Sequence, residues 1–190
     1  PDFLKDSLSV PVVGAPLFII SHPDLVLAQC KAGVVGSFPA LNARPAEQLD
    51  EWLAQITEEL ASFKEANPDK KVAPFAVNQI VHKSNNRLEH DLQMCVKYKV
   101  PIVITSLGAV PEVNEAVHSY GGIVLHDIIN DRHAKSAIRK GADGLIAVAT
   151  GAGHSGPALS AARTGAGGTR VCHRRTGAAG PWAQQLQPRL

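Results

Sequence analysis

At 190 residues the chain suits a single domain with a real hydrophobic core, and it falls short of the roughly 250 residues that a full eight-stranded βα barrel usually needs. Its 45% hydrophobic content is ordinary for a globular protein, and no apolar run approaches the ~20 residues that cross a bilayer, so the chain reads as soluble with no membrane partner, and its three scattered cysteines read as cytoplasmic thiols. The net charge of +2 conceals a division: residues 1–150 carry 14 Lys and Arg against 17 Asp and Glu, whereas residues 151–190 carry five Arg and no acid.

The chain opens on Pro1 with no basic, apolar leader, which reads as a processed or clipped start without a signal peptide. Residues 10–150 then repeat one phrase, a short β-branched run, a turn and an amphipathic segment. The first strand expected is "VPVVGAP" (10–16). A helix follows in "HPDLVLAQCKAG", with Pro23 and Asp24 in its first turn and Gly33 at its end. "GVVGS" (33–37) is the second strand. In "RPAEQLDEWLAQITEELASFKEANP", Leu49, Leu53, Ile56 and Leu60 make one apolar stripe of a long helix that ends before Pro68. The strands "VAPFAVN", "PIVITS", "GGIVLHD" and "GLIAVAT" alternate with the helices "NNRLEHDLQMCVKYK", "VPEVNEAVHSYGG" and "NDRHAKSAIRKGAD". Near-continuous apolar strands alternating with helices predict a parallel sheet covered on both faces. The class is α/β with about six strands, and the period fits a βα barrel and an open doubly wound sheet equally.

In either architecture the site lies just beyond the carboxyl ends of the strands. Those positions are Ala15, Pro16 and Leu17; Gly36 and Ser37; Asn78 and Gln79; Ser106, Leu107 and Gly108; His126 and Asp127; and the run Gly151–Gly156 with His154. Small residues and amides let a flat heteroaromatic ring approach the backbone and be read by hydrogen bonds; they are also ordinary turn residues. Gly151, Gly153 and Gly156 spell G-x-G-x-x-G, but the pattern follows the last strand and no Asp or Glu comes after Asp143, so its context is not a dinucleotide loop. His126 is a candidate pocket residue. It cannot easily pair with Asp127, because neighbours on a strand face opposite ways. The other histidines are scattered and Cys30, Cys95 and Cys172 form no C-x-x-C, so no metal site is expected.

Taken in order, "VVGAPLFIISHPDLVLAQCKAGVVGSFPALNARP", "PFAVNQIVHK", "PIVITSLGAVPEV" and "GADGLIAVATGAGHSG" resemble the nitronate monooxygenases, formerly called 2-nitropropane dioxygenases. The resemblance covers residues 10 to about 156. It implies a TIM (β/α)8-type barrel with FMN at its C-terminal face that oxidises alkyl nitronates or nitroalkanes with O2. Related enoyl-acyl-carrier-protein and quinone reductases, which use NAD(P)H, share the plan. By resemblance, Gly14, Ala15 and Pro16 lie against the flavin ring, with Leu17 where many members have Met. Asn78 matches the Asn that hydrogen-bonds the flavin, and Ser106 and Gly108 match the turn on the ring's edge. His154 matches the catalytic histidine of the A-G-G-H-x-G loop, in which Ala152 and Gly153 also meet the cofactor. This chain has one glycine fewer there, and Val148 stands about where many members have Gln.

The resemblance stops at the tail. Residues 1–156 read as the FMN-dependent barrel portion, truncated after about six βα units, and residues 157–190 as a Gly-, Ala- and Arg-rich tail that is frame-shifted or disordered. Nothing in the tail resembles the family's phosphate-binding turns. The expected partners are a small nitronate or nitroalkane and O2, without nucleic acid, and a homo-oligomer would cover the open edges of a partial barrel. The alternatives are an NAD(P)H-dependent flavin reductase and an inactive fragment.

Overall fold

The computed structural model describes residues 2–148 and 170–173. Strands β1 (Gly36–Pro39), β2 (Phe75–Ile80), β3 (Ile102–Ser106), β4 (Ile123–Ile128) and β5 (Gly144–Ala147) form one parallel sheet in sequence order. Helix α1 (Asp2–Ser7) and helix α2 (Pro23–Lys31) precede β1. Helices α3 (Gln48–Ala66), α4 (Leu88–Lys97), α5 (Pro111–His118) and α6 (Asp131–Arg139) fill the crossovers between successive strands. Strand order settles what periodicity left open. A doubly wound sheet reverses its order at a switch point, whereas here every strand is added on the same side of the one before. The architecture is that of a TIM (β/α)8-type barrel, five of whose parallel strands lie among the described residues.

The segment expected as the first strand contributes one bridge, Val13 to Val35, flanked by hydrogen bonds from Gly14 N to Val35 O (2.7 Å) and from Val35 N to Val12 O (3.2 Å). Pro11 and Pro16 carry no N–H, so the ladder cannot lengthen at either end. Pro74 likewise delays β2 to Phe75, and Pro45 keeps Arg44 out of the helix that begins at Gln48. Helix α1 was not foreseen; Leu4 and Leu8 pack against the inner cluster of the sheet. In the stretch read as a tail, Arg170–His173 form β6, which runs antiparallel beside β5 rather than parallel as a further barrel strand would. The boundary drawn between residues 156 and 157 lies outside the described residues.

The sheet has two faces of different construction. On the outer face, Phe38, Val77, Val103 and Val124 pack against the helices. The apolar stripe of α3 is buried as its spacing predicts, and Trp52 adds an edge-on contact with Phe38 at 5.7 Å between ring centres. Each such side chain contributes about 1.5–3 kcal/mol when fully buried. On the inner face, Val35, Ala76, Ile102, Ile104, Ile123 and Leu125 form a second cluster. No helix among the described residues is long and apolar enough to cross a membrane.

Candidate flavin site

Register decides which strand-end side chains can meet. Asn78 pairs with Ile104, Ile80 with Ser106, and Ile104 with Leu125, so Asn78 and Ser106 stand on the inner face, toward its C-terminal end. Asn78 Nδ2 donates to the Ile104 carbonyl (3.1 Å) and to Ser106 Oγ (2.8 Å). A carbonyl only accepts, so this fixes the orientation of the amide. Both amide hydrogens are committed, and Oδ1 remains an acceptor with no partner among the described residues. Asn78 is 7% exposed, so its pose is locked by the sheet itself.

The rim beside it is built from loops. Ser37 Oγ donates to the Gly14 carbonyl, and Leu17 N donates to Ser21 Oγ at 2.9 Å. Ala15 and Leu17 are exposed and Pro16 half-buried, which makes this a solvent-facing wall. One glycine at the rim also has an internal reason to be glycine: a Cβ on Gly108 would lie 2.4 Å from the Val81 carbonyl oxygen, whereas one on Gly14 would meet only the mobile end of the Gln29 side chain. The left-handed backbone of Leu107 (φ 66°) and Ile19 (φ 67°) flanks the same rim. Non-glycine residues in that region are strained, Ile most of all, and persist only where surrounding contacts hold them.

His126, expected at the pocket, lies on the other side of the sheet. Its register partner is Thr105, and Nδ1 is hydrogen-bonded to Thr105 Oγ1 at 2.6 Å on the outer face, level with the line of Val103 and Val124. Burial pushes its imidazole below the ordinary value, which favours the neutral ring. Asp127 occupies the next position along β4 and faces the opposite way. His154, Ala152 and Gly153 lie outside the described residues.

The outer face holds polar residues that the strand-end pattern did not separate from the site. Gln79 is fully buried and donates from Nε2 to Cys95 Sγ (3.3 Å). Cys95 and Cys30 are free thiols that burial pushes up to about 12 and about 11, which keeps them protonated and unreactive. Asp91, fully buried on α4, accepts from Arg87 Nη2 at 3.0 Å and contacts His90 at the same distance. Its i,i+4 spacing from Arg87 is visible in the sequence, but its burial is not, since the same pattern commonly decorates a solvated helix face. No group of three or more metal-ligating side chains occurs among the described residues.

No family model and no curated protein matches the chain. Its fold is found in solved structures. A nitroalkane oxidase from Streptomyces ansochromogenes superposes with a TM-score of 0.66 at 20% identity, over 86% of this chain and 54% of that one. FabK from Thermotoga maritima gives 0.65 at 23% identity, over 83% and 46%. A mandelate oxidase determined with a monooxide FMN adduct gives 0.50 at 14% identity, over 74% and 47%. The chain therefore spans about half the length of each of these proteins, and what the likeness establishes is the barrel-type fold.

Proposed function

We propose that the chain binds FMN at the C-terminal ends of its strands and serves the oxidation of alkyl nitronates or nitroalkanes by O2. The observation that carries the reading is the locked amide of Asn78, with an uncommitted acceptor on the inner face and the Ser106 hydroxyl beside it. A flavin ring presents one ring N–H between two carbonyl oxygens, and an acceptor next to a hydroxyl donor complements that edge. The likeness to a nitroalkane oxidase and to an FMN-binding mandelate oxidase, and the ordered motifs, support the same class of oxidoreductase.

In this reading Gly14, Ala15, Pro16 and Leu17 form the wall along the ring, Asn78 and Ser106 read its edge, and Gly108 lets the neighbouring turn come close. His126 takes no part, because it faces the helices. FMN, when bound, supplies the two-electron redox chemistry. His154, next to Ala152 and Gly153 in the sequence, carries the proton work: an imidazole with an ordinary pKa of ~6.5 accepts the acidic α-proton of a nitroalkane, or steadies a nitronate that is already ionised.

The test is an FMN titration of the purified chain, followed through flavin bands near ~370 and ~450 nm. Saturable binding with oxygen uptake that depends on added alkyl nitronate is the expected result. Oxidation of NAD(P)H without nitronate would move the chain to the flavin reductases, and absence of any flavin binding would sink the reading.

A further inference from the structure

We infer that Asn42 and the ion pair of half-buried Arg87 with buried Asp91 are positioning residues that brace the Gly14–Ser21 rim against the sheet; the inference rests on the flavin reading of that rim. The rim has few holds of its own. Four successive apolar side chains, Leu17, Phe18, Ile19 and Ile20, are 44–68% exposed, so packing does not fix this loop. Hydrogen bonds do, and a single side chain, that of Asn42, makes three of them. Asn42 Nδ2 donates to the carbonyls of Leu17 (3.0 Å) and Ser21 (2.9 Å), and Oδ1 accepts from Ile19 N (3.1 Å). The third bond, with the contact of His22 Nε2 to the Ile19 carbonyl (2.6 Å), grips both backbone groups of the residue whose φ is left-handed.

Asn42 is itself held from behind. It ends the short turn Ala40–Asn42 that follows β1, and no helix continues there to stiffen it. Arg87, at the start of α4, supplies the stiffness. Its Nη1 donates to the Ala43 carbonyl at 2.7 Å and its Nη2 to the Ala40 carbonyl at 3.4 Å, so one planar guanidinium spans the turn from both sides of Asn42. Asp91 orients that guanidinium at 3.0 Å. Arg44, from the same segment, lays its guanidinium 5.3 Å from the centre of the Phe18 ring. The path therefore runs from Asp91 through Arg87 to the 40–43 turn, and through Asn42 to the rim.

The pair is a costly choice if stability were its only role. Arg87 Nε and Asp91 Oδ2 are buried without a partner among the described residues. Two apolar side chains would fill the same space without that cost. What they could not do is hold two carbonyls at a fixed place.

The experiment uses the full chain, with amide hydrogen exchange read separately for residues 14–21 and for β2, and with FMN titration. Asn42→Ala should raise exchange at 14–21 while leaving β2 protected, and should weaken FMN binding about tenfold, the scale of one hydrogen bond's worth of positioning. Arg87→Met should loosen the same peptide without touching it. Because that variant strands a buried carboxylate and could unfold, the paired change Arg87→Met with Asp91→Leu removes the brace and leaves no lone charge. Combined with Asn42→Ala, its effect on 14–21 should be less than additive, since both act through one turn. Unchanged exchange at 14–21, or equal loss of protection in β2, overturns the brace. FMN bound by the wild type and unaffected by a loosened rim overturns its role in positioning. A wild type that binds no FMN sinks the flavin reading and this role with it, and the exchange result then separates a merely structural brace from none.

Discussion

The two faces of one sheet carry similar polar residues and use them differently. On the outer face, Thr105, His126, Gln79 and Asp91 are all at most 5% exposed and bond to one another's neighbours across strand and helix. On the inner face, Asn78 and Ser106 also bond to each other, yet the Asn78 Oδ1 acceptor and the Ser106 hydroxyl proton have no further partner among the described residues. A polar side chain at a strand end is thus no evidence of a site until its face is known. Because side chains alternate along a strand, one residue of displacement moves a candidate from the pocket side to the helix side.

If the outer face is where the stability lies, the largest effect should come from its apolar part. Leu53 is fully buried between α3 and the sheet. Leu53→Ala should cost about 2–5 kcal/mol in urea unfolding through lost transfer energy and the cavity left behind. The folded fraction should keep its FMN affinity. A loss well below 1 kcal/mol would show that the helices cover the sheet only loosely.

The polar part of the same face sharpens the comparison. Thr105→Val leaves His126 Nδ1 buried without its hydroxyl partner and should cost about 1–3 kcal/mol, again with no effect on flavin binding. The imidazole also sets a pH dependence. Its folded pKa is below the ordinary value because burial disfavours the charged ring, so above pH ~6.5 it is neutral in both states and stability is complete. As the pH falls below that value the unfolded chain takes up a proton that the native state refuses, and stability declines until the native ring titrates. Urea midpoints measured from pH 8 to 5 should show this slope, and His126→Gln should flatten it. A slope that survives the substitution would place its origin in another group.

Much of this architecture was legible in the chain. The strand and helix order followed from period, and the stripe of Leu49, Leu53, Ile56 and Leu60 is buried where it was expected. Strand boundaries moved where Pro11, Pro16 and Pro74 withhold N–H groups that a β-branched run would otherwise supply. The choice of a barrel over a doubly wound sheet came only with the family resemblance and was not legible in the period, because strand order is a property of crossovers and each crossover reads alike. At the site, the sequence marked Asn78 and Ser106 together with His126, all at strand ends, since only register separates them. Asn42 and Arg87 were missed for a different reason. A three-residue turn before Ala43 and Arg44 shows no periodicity, and the reach of Arg87 to carbonyls 44 and 47 positions earlier is a tertiary fact.

The smallest change in stability, and the sharpest test of the inner face, is Ser106→Ala. Ser106 is half-buried at the rim, and its loss leaves one of the two Asn78 amide hydrogens without a protein acceptor. Water reaches this position, so the hydrogen finds a substitute and the cost to folding should stay below about 1 kcal/mol. The amide keeps its bond to the Ile104 carbonyl, which still orients Oδ1. What disappears is the hydroxyl donor beside that acceptor. FMN binding should therefore weaken about threefold to tenfold while the urea midpoint barely moves, the reverse of Thr105→Val one residue earlier. If the two adjacent substitutions gave the same pattern, the face on which a polar residue stands would not govern its role, and the assignment of the flavin edge to Asn78 and Ser106 would fall.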